Sequence, residues 1–133
     1  MKYEEFYSLW KEPVLFEVEV VEARYCRAEH KKGDTYLFSW NTPEGLCGEA
    51  FVGMYPLLFS LRTGGDMTLL SSDTKNVKIY TCPSRVVRFK ITASEQCCLC
   101  GNKESLEKCK VSVGEKTKIL KLCSECRLKH SQD

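Results

Sequence analysis

The 133-residue sequence predicts an α+β fold: a small mixed or antiparallel sheet covered by central helices, followed by a cysteine-rich C-terminal tail of a different kind. Three observations predict it. Period-two alternation marks strands at residues 14–20, where Val14, Phe16, Val18 and Val20 oppose Glu17 and Glu19, and again at 86–92, where Val87, Phe89 and Ile91 oppose Arg88 and Lys90. Between them lies an apolar stretch with helix start and stop signals. Two C-x-x-C pairs, Cys97/Cys100 and Cys123/Cys126, then stand 22 residues apart. An apolar content of 43% against 29% charged is a globular balance, and the length suits one ordinary domain with a small appendage.

The elements follow in order. Tyr3, Phe6, Tyr7 and Trp10 recur at helical spacing, so residues 1–11 read as a short amphipathic helix ending before Pro13, its aromatic stripe forming a lid on the core. After the first strand, residues 23–34 form a loop that ends in a turn at Gly33-Asp34, and β-branched and aromatic content makes 35–40 a second strand. Thr42-Pro43 reads as a helix start, with Thr42 as N-cap and Pro43 at the first helical position. That helix should end near Tyr55, because Pro56 lacks the amide that continues the ladder. A second helix over 57–62 would be stopped by Gly64-Gly65, and the pair should be largely buried against the sheet. Residues 66–77 read as a surface loop, 77–81 and 86–92 as strands joined by a turn at Cys82-Pro83-Ser84. The predicted division is a body at 1–93, including the N-terminal helix, and a tail at 94–133.

In the tail, Cys97 to Asn102 has the form of a knuckle whose Gly101 can take a positive φ. Residues 108–113 and 117–122 flank Gly114-Glu115-Lys116 as a hairpin, and Cys123-Ser124-Glu125-Cys126 opens a short helix with both thiolates at its positive end. Four thiolates converging from two bends suit a tetrahedral soft cation, and Cys97, Cys100, Cys123 and Cys126 are the expected ligands. Cys98 would contract the first pair to one intervening residue, Cys109 is a spectator, and His130 is a spare ligand where four cysteines suffice. Zinc is favoured over iron or an iron–sulfur cluster, because the second pair lacks the glycine of a second knuckle and instead opens a helix. Knuckle, hairpin and helix start in that order resemble a treble-clef zinc finger, and residues 122–126 are similar to the second half of GATA-type fingers. The internal spacing here is longer and the basic residues are fewer.

Nine cysteines without a secretory leader, and without the roughly eighteen apolar residues of a membrane span, predict a cytoplasmic protein whose paired thiols serve metals before disulfides. Charge is uneven. Residues 1–96 carry 12 Lys/Arg against 13 Asp/Glu, whereas 97–133 carry 8 against 5. Nucleic-acid binding would use Lys116, Lys118, Lys121, Arg127 and Lys129, a thin supply of cations that fits a solvated face equally well.

Three body fragments carry a further likeness: Cys26 to Asp34 (C-x-x-x-H-K-K-G-D), Thr42 to Cys47 (T-P-E-G-L-C), and Tyr55 to Gly65 followed by Cys82-Pro83. In this order they resemble a family of small uncharacterised proteins of anaerobic bacteria and archaea. The resemblance covers about residues 14–92, implies no activity, and makes the tail an addition to a body that commonly stands alone. Its shared positions include Cys26, His30, Cys47 and Cys82, which would form a second metal site, with iron as an alternative, or a reactive-thiol pocket if the fold brings them together. The plainer alternative is a set of small buried thiols and a partly exposed imidazole. Three roles are therefore weighed. The first is a zinc-stabilised module that docks on a protein partner, with no membrane association. The second is a thiol enzyme with Cys47 as nucleophile and His30 or Cys26 as its assistant, and Cys82 nearby. The third is nucleic-acid binding through the tail. No Ser-His-Asp arrangement, phosphate loop or carboxylate pair supplies a competing chemistry.

Overall fold

A computed structural model describes residues 1–131 and confirms the α+β class with antiparallel sheets and three helices. The chain divides into two compact units, one of residues 15–94 and one built from residues 1–14 together with 95 onward.

The unit of residues 15–94 is a four-stranded sheet in the order β2-β1-β4-β3, made of β1 (Val14–Ala23), β2 (Thr35–Phe38), β3 (Val77–Thr81) and β4 (Val87–Glu95). β1 pairs with β2 through Phe16 opposite Phe38 and Val18 opposite Tyr36, and β3 pairs with β4 through Tyr80 opposite Phe89, both antiparallel. The alternation read from the sequence is the burial pattern observed: Phe16, Val18, Val20, Val87, Phe89 and Ile91 point to one side and are fully buried. Each such side chain contributes roughly 1.5–3 kcal/mol by leaving water.

One helix, α2 (Gly48–Arg62), covers that face with Ala50, Met54, Leu58 and Leu61, a stripe at helical spacing. Its course corrects two expectations. Thr42 and Pro43 open no helix; the chain turns through Gly45, at φ +88°, and the helix begins only at Gly48 with Cys47 as N-cap. Nor does Pro56 end it. Pro56 lies two residues past Met54, hence on the side opposite the buried stripe, and so does the Val52 carbonyl that its missing amide leaves unpaired. Val52 and Pro56 are both exposed, so solvent can serve that carbonyl and the break in the ladder is tolerated. The same outer side leaves Val52 and Phe59 73% and 57% exposed, so α2 is buried on one face only. The polar segment after it is not featureless either: it contains a 3₁₀ turn, Met67–Leu70, capped by Asp66 and anchored by buried Met67.

The second unit holds α1 (Tyr3–Leu9), the hairpin β5 (Glu107–Val113) and β6 (Lys116–Leu122), and α3 (Ser124–His130). Val113 pairs with Lys116 across a two-residue turn in which Gly114 adopts φ +60°. A Cβ there would stand 2.2 Å from the Tyr3 ring, so glycine is needed for approach as well as for φ. Phe6 of α1 is buried with Val111, Val113, Leu120 and Leu122. Backbone bonds tie the same segment down: the Gly114 amide donates to the Met1 carbonyl, the Lys11 amide to Cys98, and the Gln96 amide to Pro13. The N-terminal helix thus belongs to the cysteine-rich unit, not to the body to which its position in the sequence assigns it. Periodicity located its apolar stripe; the surface that stripe covers is more than a hundred residues away along the chain.

No helix among the described residues is long and apolar enough to cross a membrane. Replacing Pro56 by alanine restores one ladder hydrogen bond and removes the ring clash, at a small cost in unfolded-state rigidity. We expect Pro56→Ala to stabilise the unit of residues 15–94 by about 2 kcal/mol in urea unfolding; an unchanged or lower midpoint would show that the ladder is already interrupted there.

Candidate metal centre and thiol cavity

The paired cysteines meet. The ligand atoms of Cys97, Cys100, Cys123 and Cys126 all lie within 4.8 Å of one another, with the Cys100 and Cys123 Sγ atoms 3.5 Å apart. A tetrahedral ion with metal–sulfur bonds of about 2.3 Å requires sulfur–sulfur edges of about 3.8 Å, so this chain's own donors fit a single ion. The first pair sits on a bend closed by the Gly101 amide on the Cys97 carbonyl and by the Cys97 amide on the Asn102 carbonyl. In the second pair, Cys123 is the N-cap of α3 and Cys126 lies in its first turn. Cys97, Cys123 and Cys126 are buried and Cys100 faces outward.

The electrostatics of these thiols depend on how little room they have. Burial of Cys97 opposes ionisation, but amide hydrogen bonds from Cys123, Leu99 and Cys100 outweigh it and lower the thiol to about 6. At neutral pH it is a thiolate. Burial, followed by hydrogen bonds to the three neighbouring sulfurs and the charge on Cys97, pushes the Cys126 thiol up. Cys100 is also raised, its Asn102 amide bond being outweighed by burial and by the sulfurs of Cys123 and Cys97. The protons of Cys100 and Cys126 are hard to remove unless a cation takes their place, which is the behaviour expected of a metal site.

The neighbouring candidates stand apart from the four sulfurs. Cys98 is buried in the apolar cluster, its thiol raised by burial; Cys109 is on β5 at the edge of that cluster; His130 ends α3. Of the five tail cations, Lys121 pairs with Glu95 at 2.9 Å and Arg127 with Glu107 at 3.3 Å. Arg127 also donates to the Ser105 carbonyl, and the Lys118 ammonium stands over the Phe6 ring. Lys116 and Lys129 are exposed.

Cys26, His30, Cys47 and Cys82 also come together, around one cavity of about 180 Å³ in the unit of residues 15–94. They form no second ligand cluster: among the described residues only the tail cysteines place three or more donor atoms within 4.8 Å. His30 is in fact occupied. Its Nε2 accepts the Cys47 amide at 3.1 Å, so in the neutral ring Nδ1 carries the proton and donates to the Tyr36 hydroxyl at 2.9 Å, which in turn donates to the Gly45 carbonyl. An imidazole bonded in this way fastens the 41–47 turn to the start of α2. It has no free nitrogen with which to assist the Cys47 thiol, and the sequence could not show this because both partners are backbone or tyrosine groups. No protein-family model, curated protein or solved structure matches the chain.

Two outcomes test these assignments. Cys97→Ser and Cys123→Ser should each lose the tightly held metal, whereas Cys98→Ala and Cys109→Ala should keep one equivalent by elemental analysis. Burial lowers the His30 pKa more than Asp34 raises it, so the native ring binds its proton less readily than the unfolded one. Its contribution to stability is therefore complete above about pH 6.5 and lost as pH falls through the lowered native value. In a urea titration His30→Gln should flatten that acid-side loss, and a wild-type stability unchanged between neutral and mildly acid pH would refute the bonded neutral ring.

Proposed function

We propose that the cysteine-rich unit is a structural zinc centre of treble-clef type and that the protein is a metal-stabilised module that docks on a protein partner. The observation that carries this reading is the convergence of four sulfurs within 4.8 Å, two from a knuckle and two from a helix start. Iron–sulfur clusters interpose irons and sulfides between their cysteines and spread them wider than one ion does, so the spacing favours a single ion. The helix start in place of a second knuckle favours zinc over a lone iron.

A structural site is what this unit needs. Apart from the sulfurs, its core consists of Phe6, Leu99 and four hairpin side chains, and a zinc ion can contribute on the order of 10 kcal/mol to folding. Nucleic-acid binding is disfavoured, because α1 and Glu95 bring acidic residues that leave the unit at only +1, and two of its five candidate cations are held in local ion pairs. Docking on protein is supported by Ile119 and Leu128, 68% and 89% exposed on β6 and α3 of the same unit.

The deciding experiment is metal analysis with a visible spectrum on anaerobically purified protein, followed by strong chelation. One zinc in a colourless protein is expected, and chelation should unfold the unit of residues 1–14 and 95 onward while amide signals from residues 15–94 persist. Visible colour, or a cysteine unit that keeps its structure in chelator, would overturn the reading.

A further inference from the structure

The cavity of the 15–94 unit contains a second thiol arrangement, built on different principles from the first. Cys82 begins the five-residue loop between β3 and β4, where its amide donates to the Val87 carbonyl and the Val87 amide returns to its Sγ at 3.3 Å. Arg85 in the same loop holds a left-handed φ of +62°, a conformation that costs a non-glycine residue on the order of 1 kcal/mol. That turn brings the Val87 amide onto the sulfur and the Ser84 hydroxyl to 4.0 Å from it. Burial opposes ionisation of Cys82, but hydrogen bonds from Val87, Val86, the Ser84 hydroxyl and Arg85 outweigh it and hold the thiol below its ordinary value. A sulfur surrounded by fixed amide donors is stabilised as an anion without any cation.

Cys47, the N-cap of the fifteen-residue helix α2, lines the same cavity as Cys82, and the charges of both act on the Tyr80 hydroxyl. Cys26 lines it from the 23–34 loop and acts instead on Tyr36. The sulfurs are not gathered as ligands, and both His30 nitrogens are occupied. Cys82 is only 7% exposed, so a protein disulfide cannot reach it. A cavity of about 180 Å³ admits a molecule of a few heavy atoms.

We propose that this cavity is a dithiol redox site in which Cys82 reduces a small hydroperoxide and Cys47 resolves the product. The Cys82 thiolate attacks the terminal peroxide oxygen; the S–O bond forms, the O–O bond breaks, and the sulfur's two electrons leave with the alkoxide or hydroxide, which takes up a proton. Cys82 is then a sulfenic acid. The Cys47 thiol attacks that sulfur, the S–S bond forms, and the departing hydroxide takes the Cys47 proton as water. Two equivalents of a low-molecular-weight thiol then reduce the disulfide in two exchanges, through a mixed disulfide, and leave as their own disulfide with both protein thiols restored. The cycle draws nothing from the metal-ligand cysteines.

The test uses the full, metal-loaded chain and hydrogen peroxide in stoichiometric amount, with peptide mapping and rate measurement. The expected product is a Cys47–Cys82 disulfide that forms roughly tenfold faster than any thiol of the urea-unfolded chain reacts. In Cys47→Ser, Cys82 should accumulate as a sulfenic acid trapped by dimedone; in Cys26→Ser the disulfide should form unchanged; Cys82→Ser should lose the rate enhancement while retaining its metal. Four results would overturn the proposal: a Cys82 rate no higher than in urea, a Cys26–Cys82 disulfide, oxidation confined to the metal-ligand cysteines, or a second tightly held metal lost in Cys82→Ser.

Discussion

Four sulfurs held within 4.8 Å cannot all ionise without a cation, and the cysteine-rich unit is organised around that constraint. Like charges at such separations repel by several kcal/mol at a protein-like dielectric, so the cluster must keep its protons or exchange them for a metal. The backbone provides only part of the stabilisation. Amides turned toward Cys97 favour one thiolate, and Cys100 and Cys126 show the consequence in raised affinities for their protons. An ion therefore does more than cross-link two loops: it resolves an electrostatic conflict that the fold creates by bringing the knuckle and the start of α3 together.

That same unit illustrates how local and distant contributions combine. Its hairpin and α3 follow from neighbouring residues, yet its apolar cluster is incomplete without Phe6 from the opposite end of the chain. Gly114 links the two scales. It permits the tight turn of the hairpin, and by lacking a Cβ it lets the Tyr3 ring of α1 approach that turn. The N-terminal helix thereby becomes part of the cysteine-rich unit, with consequences for charge as well as packing, since α1 brings Glu4 and Glu5 to an otherwise basic tail.

Much of this was legible because the relevant physics is short-range. Cysteine spacing, the Gly114 hairpin and the alternation in β1 and β4 each depend on residues within a few positions; the hairpin strands fall within one residue of expectation, while β1 and β4 each run three residues further. The failures depend on facing, not on residue type. Pro56 is a helix breaker only if water or a neighbour cannot serve the freed carbonyl, and the register of Met54 and Leu58 turns that carbonyl outward. Thr42-Pro43 carries a sound capping signal, but His30 takes the Cys47 amide and delays the helix to Gly48. Periodicity in α1 was correct; which surface it covered was a long-range fact with no local signature.

The two thiol sets answer the same problem, stabilising charge on sulfur, in different ways. In the tail, amides favour one thiolate and crowding disfavours the rest, an arrangement that gains most from a cation shared by all four. Around Cys82 the Val87 amide is fixed on a single sulfur by the turn that Arg85 completes, with other thiols lining the same cavity but not gathered as a ligand cluster. A metal would have to displace His30 from two hydrogen bonds, or gather Cys26, Cys47 and Cys82 from three separate segments. A nucleophile requires less: a thiol whose ionisation is favoured by a fixed amide, a second thiol lining the same space, and walls that admit only something small. The difference lies in where the donors point, which is why similar cysteine content in the two units implies different chemistry.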